Sequence, residues 1–93
     1  MPFDNLNARE RAILKALINH YISTAEPVGS QVISNKYITD LSPASIRNVL
    51  QDLEEIGLIE QPHTSAGRVP TDQGYRLYVD ALLKPENLTL AEE

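Results

Sequence analysis

Ninety-three residues suit one small domain with a working core and leave no room for a second. The 42% of hydrophobic residues fall in periodic segments, and no run approaches the ~18 apolar residues of a membrane span, so the reading is a water-soluble globular protein. The 13 acidic against 8 basic residues give a net charge of −5, a balance that counts against binding a polyanion; cysteine is absent, which excludes disulfides. Met1-Pro2-Phe3-Asp4 has neither the basic start nor the apolar stretch of a secretory signal, which makes the cytoplasm the expected location.

In chain order, Asn7 followed by Glu10 has the form of an N-terminal capping box, and Ala12, Ile13, Leu14, Leu17, Ile18, Tyr21 and Ile22 recur at helical spacing. They predict a first helix over Ala8 to Thr24. Glu26-Pro27-Val28-Gly29 breaks the pattern, and Ser30 is the expected cap of a shorter helix that carries Val32, Ile33 and Tyr37 and ends near Ile38. After Thr39-Asp40-Leu41, Ser42 supplies a cap and Pro43 takes the first helical position, where its missing N–H costs nothing. This third helix should stop at Gly57, with Leu58 folding back toward Leu53 as in a Schellman motif.

Leu58-Ile59-Glu60-Gln61 reads as a strand, His63-Thr64-Ser65-Ala66-Gly67 as a polar turn, and Arg68-Val69-Pro70 as a return strand whose proline suits an edge. Thr71 with Asp72 opens a last helix, with Tyr75, Leu77, Tyr78, Val79, Leu82 and Leu83 as its apolar residues, before Lys84-Pro85 ends it. The order α-α-α-β-β-α, mainly α with a small β-hairpin, is that of a winged helix-turn-helix over residues 1–83. Residues 84–93, where Glu86, Glu92 and Glu93 outnumber Lys84, read as an acidic linker or tail.

The third helix carries the functional argument. At 100° per residue, Ile46, Val49, Leu50, Leu53 and Ile56 share the core side, which leaves Ala44, Asn48, Gln51 and Glu55 opposite, flanked by Arg47. A helix entering the major groove needs small residues at its tip, here Ser42, Ala44 and Ser45, and then side chains that match base edges. Arginine matches the two acceptors of guanine, and asparagine or glutamine the donor–acceptor pair of adenine. The segments 41–51 and 61–71 hold no acid, while Arg47, His63 and Arg68 fall inside them. The turn residues His63, Thr64, Ser65, Gly67 and Arg68 form a second candidate surface, laid on phosphates or in the minor groove. Ser30, Gln31, Lys36 and Arg76 are candidate phosphate contacts. The bland alternatives are a solvated helix face, an ordinary hairpin turn and simple capping by Ser30.

Enzymatic chemistry fits poorly. His63, Thr64 and Ser65 are adjacent in a turn, where a base and a nucleophile do not form an oriented pair. Two histidines 43 positions apart, with no cysteine, make no metal-ligand set. The four glycines form no phosphate-cradling loop, so no cofactor is expected.

Ser42-Pro43-Ala44-Ser45-Ile46-Arg47-Asn48 and the stretch from Leu53 through Leu58-Ile59-Glu60-Gln61-Pro62-His63-Thr64-Ser65-Ala66-Gly67-Arg68-Val69-Pro70-Thr71-Asp72-Gln73-Gly74-Tyr75-Arg76 resemble the amino-terminal domain of the heat-inducible transcription repressor family HrcA. The resemblance covers Leu6 to Leu83 and includes the loop Glu26-Pro27-Val28-Gly29-Ser30. It implies a homodimer on an inverted-repeat operator upstream of chaperone operons, release on heat stress, and a chaperonin as modulator. Family members continue into a dimerisation and regulatory region absent here, so the inducer response is expected to be missing. Ala25 stands where the family often has glycine, Ser45 where it has threonine, and Val49 where an acidic residue is usual. Two rivals remain at this point: a winged helix that docks on protein without binding DNA, and a winged-helix regulator of another operon. Tyr75 and Tyr78 fit core or dimer contacts better than base-stacking platforms.

Overall fold

Four helices and a two-stranded antiparallel sheet follow in the order α1 (Ala8–Thr24), α2 (Ser30–Lys36), α3 (Pro43–Ile56), β1 (Ile59–Glu60), β2 (Val69–Pro70) and α4 (Asp72–Leu82) in the computed structural model, which describes residues 6–63 and 66–82. This is the winged helix-turn-helix architecture. Local chemistry sets most boundaries. At the start of α1 the Asn7 side chain accepts from the Glu10 N–H at 2.7 Å while the Glu10 carboxylate accepts from the Asn7 N–H at 3.0 Å, a complete capping box. Ser42 caps α3 by accepting from the Ser45 N–H at 3.2 Å, with Pro43 at the first position.

Gly57 ends α3 with φ 97°, and the Leu58 N–H reaches the Leu53 carbonyl at 3.1 Å, which completes the expected Schellman turn. Helix α1 ends instead on Ala25, the one non-glycine residue with positive φ among the described residues, at φ 58° and ψ 26°. Its Cβ strains against its own backbone there, a conformation that glycine adopts without that cost.

Helix α1 is the hub. It touches α2, α3, α4 and β2, and its Ile13, Leu14, Leu17 and Ile18 are completely buried among Ile33, Ile46, Leu53, Leu58 and Ile59. Each such side chain contributes about 1.5–3 kcal/mol of burial. The Tyr78 hydroxyl donates to the Asn19 side chain and so ties α4 to α1. Tyr21 and Tyr75 meet edge to face with ring centres 6.4 Å apart, half-buried as core-edge residues.

Four large side chains of the predicted apolar faces are exposed, Ile22 at 56%, Tyr37 at 41%, Ile56 at 45% and Val79 at 45%, as is the small Ala12. For Val79 the reason is angular, since it stands 200° around α4 from the buried Leu77 and both cannot face inward. Ile22 and Ile56 sit in the last turns of α1 and α3, beyond the reach of covering elements. The cap of α2 also differs: Gly29, in extended conformation, precedes the helix without a side-chain bond, and Ser30 is the first helical residue. The helix stops at Lys36 rather than Ile38, closed by the Tyr37 and Ile38 N–H groups on the Ile33 carbonyl.

The hairpin is shorter than its sequence pattern, with Ile59 opposite Pro70 and Glu60 opposite Val69. It gains a partner that the sequence does not announce. Val28, in the α1–α2 connection, exchanges both backbone hydrogen bonds with Arg68, at 2.8 and 2.9 Å.

Candidate nucleic-acid interface

Helix α2, its turn and α3 pack as a helix-turn-helix. The turn is fastened from inside: the buried Ser34 hydroxyl donates to the Leu41 carbonyl at 2.8 Å. With Ile46, Val49, Leu50 and Leu53 buried, α3 has one orientation, and Ala44, Arg47, Asn48, Gln51 and Glu55 are all exposed on its other side. Arg47, Asn48 and Gln51 make no side-chain hydrogen bond or ion pair with any described residue. A face of donors and acceptors left open on a rigid helix is what reading base edges requires. Ser42 and Ser45 are engaged with each other at the helix start, their hydroxyls 3.2 Å apart, so their first role is to hold the tip.

The wing root lies beside α3. His63 is exposed, and Thr64 and Ser65 lie outside the described residues. Gly67 is buried, and a Cβ there would stand 3.0 Å from the backbone of Pro27 and Val28. Its lack of a side chain lets the return strand pass along the α1–α2 connection. Arg68 is engaged within the chain. Its Nε donates to the Glu54 carboxylate at 2.8 Å and one of its two terminal nitrogens, Nη1, to the Ala66 carbonyl at 2.7 Å, and the side chain is only 12% exposed. The guanidinium that the sequence offers to phosphate is held within the chain.

Among the candidate phosphate contacts, Gln31 and Lys36 are exposed on α2 and Ser30 is half-buried. Arg76 is exposed on α4, where it shares a shallow groove with Asp72 and Asp80, an acidic setting unsuited to phosphate. Glu54 and Val28 are the structural partners that sequence reasoning missed; each acts across a distance in the chain that no local pattern marks. His20 Nδ1 and the Tyr37 hydroxyl are 3.0 Å apart and join α1 to the end of α2. Among the described residues, no group of histidine, cysteine and acid side chains is arranged to hold a metal, and no helix is long and apolar enough to cross a membrane.

The family model described as "Winged helix-turn-helix transcription repressor, HrcA DNA-binding" matches residues 5–81. The chain belongs to this family. The HrcA heat-inducible transcription repressor of Moorella thermoacetica is 57% identical over 88 residues, 95% of this chain and 26% of that protein. That of Desulfitobacterium hafniense is 57% identical over 83 residues, 89% of this chain and 24% of that protein. A crystal structure described as that of a hypothetical protein superimposes with a TM-score of 0.81 at 44% identity, covering 86% of this chain and 26% of that one. The chain thus spans about a quarter of the length of the curated relatives it matches. HrcA proteins are transcription repressors, regulators and not enzymes, and the open face of α3 belongs to a DNA-binding domain.

Proposed function

We propose that this HrcA domain binds an inverted-repeat operator upstream of chaperone genes, two copies to a repeat, and that the bound protein blocks transcription until heat stress releases it. Arg47, Asn48 and Gln51 read base edges, Ala44 allows the close approach, and Ser42 and Ser45 hold the helix tip against the groove. His63 and the wing lie along the flanking backbone, with Gln31 and Lys36 as further phosphate contacts. The exposed, unpaired row on α3 carries this reading. The heat-inducible names of the relatives support the stress-responsive part, and the family resemblance supports homodimerisation and a chaperonin as modulator.

Fluorescence-anisotropy titration at low salt tests it, with the inverted repeat of a chaperone operon against a scrambled duplex of equal composition. Preference for the repeat is expected, and Arg47→Ala should lose it, because each good bidentate pair supplies about 1–3 kcal/mol of discrimination. Equal binding to both duplexes refutes the operator reading. Binding to neither favours a protein-docking role.

A further inference from the structure

Arg68 is fixed to three different parts of the fold. Its backbone pairs with Val28 of the α1–α2 connection, its own chain runs into β2, and its guanidinium holds Glu54 of α3. The pair spans the groove between α3 and the wing, which is lined by Gln51, Glu54, Glu55, Gln61 and Arg68. An arginine that serves as a phosphate ligand is ordinarily solvent-exposed and free to reach; this one is 12% exposed and already doubly engaged. Glu54 poses the opposite problem, because a free carboxylate at the edge of a DNA-reading helix repels the phosphates.

We infer that Arg68 and Glu54 form a positioning clamp: the ion pair fixes the angle of the wing to the recognition helix and cancels the charge of an acid that would otherwise face the DNA. Arg68 acts on DNA binding through Glu54 and the wing, not by touching phosphate. The inference rests on the DNA-binding reading above and deepens it.

The experiment uses the 93-residue chain and the duplex that it selects from a randomised pool. Glu54→Gln, Arg68→Gln, the double variant and the exchanged pair Glu54→Arg/Arg68→Glu are titrated well below their melting temperatures over a series of salt concentrations. The clamp predicts that Glu54→Gln, although it removes a negative charge, weakens binding by about three- to tenfold, as Arg68→Gln does, that the two effects do not add, and that the exchanged pair restores much of the loss. The salt slope stays that of the unaltered chain. Tighter binding by Glu54→Gln, or a slope reduced by about 0.9 in Arg68→Gln, makes Arg68 a phosphate ligand and overturns the inference.

A second measurement needs no DNA: exchange of the Val28 and Arg68 amide protons. Both should exchange faster in Glu54→Gln and Arg68→Gln, while the amide of buried Leu17 is unchanged. Unaltered exchange at Val28 and Arg68 overturns the clamp even if the chain selects no duplex. Failure of the unaltered chain to select DNA, with exchange behaving as predicted, instead refutes the DNA reading.

Discussion

Gly74 gives the sharpest stability prediction, because helix propensity and packing oppose each other there. It lies in the first turn of α4, where replacement by alanine ordinarily gains up to about 1 kcal/mol of helix propensity. A Cβ at this position, however, would stand 2.1 Å from the Leu58 carbonyl oxygen and 3.1 Å from its carbon. To reach ordinary contact, the two backbones must part by roughly 1.3 Å, the difference between 3.4 and 2.1 Å. Neither partner is a flexible side-chain end. Leu58 is completely buried, and its carbonyl accepts the Thr71 N–H at 3.1 Å. Thr71 in turn donates its hydroxyl to the Gly57 carbonyl at 2.7 Å and accepts the Gly74 N–H at 3.1 Å.

Parting the backbones therefore adds a lost buried hydrogen bond, about 1 kcal/mol, to an overpacking cost of about 1–3 kcal/mol. Less the propensity gain, Gly74→Ala should cost about 2 kcal/mol and lower Tm by roughly 8–16 °C for a domain of this size. Urea denaturation followed by circular dichroism measures it. Gly29→Ala, whose added methyl meets nothing within 4 Å, is the control and should stay within about 0.5 kcal/mol of the parent. A Gly74→Ala domain as stable as the parent would show that the close approach of α4 to Leu58 does not exist in solution, and the reasoning would fail.

The reverse change at Ala25 should have the reverse sign. Ala25→Gly relieves a left-handed alanine and should stabilise by about 0.5–1 kcal/mol, raising Tm by a few degrees, with DNA affinity unchanged; a lower Tm contradicts the strain. Ser34→Ala should cost about 1 kcal/mol in urea unfolding by leaving the Leu41 carbonyl without its donor, and should loosen the helix-turn-helix turn. Alkaline pH should destabilise the domain through Tyr75. Burial, with a contribution from Tyr21, raises this phenol above its ordinary 10.0, so the folded state holds the proton more tightly than the unfolded one. Stability owed to this group is intact below pH 10 and falls as pH rises through the raised value, and Tyr75→Phe should remove that part of the fall in melts across the alkaline range.

Where a boundary is written in adjacent residues, it was legible from the sequence. Asn7 with Glu10, Ser42-Pro43, Gly57-Leu58 and Thr71 each act within a few positions, and all of them function at their helix ends as expected. The open face of α3 was legible for the same reason, since a helical period alone separates Arg47, Asn48 and Gln51 from the core. Contacts made across the chain were not. Glu54 reads as an ordinary surface acid, and only the placement of the wing brings it to Arg68. Val28 sits among loop-forming neighbours, and only its pairing with Arg68 makes it strand-like. Helical period also says which side is apolar but not how far along a helix cover extends, hence the exposed ends at Ile22 and Ile56.

The Val28–Arg68 pairing also shapes how the domain assembles. Its two hydrogen bonds close a loop of chain that contains α2, α3 and β1, so α3 hangs between two fastened points and not from a free end. The helices can form early because their contacts are local, whereas closing a ring of some forty residues pays its loop entropy in one late step. A protease cut in the hairpin would break the covalent side of that ring and leave the Val28–Arg68 hydrogen bonds to hold the wing to the first connection.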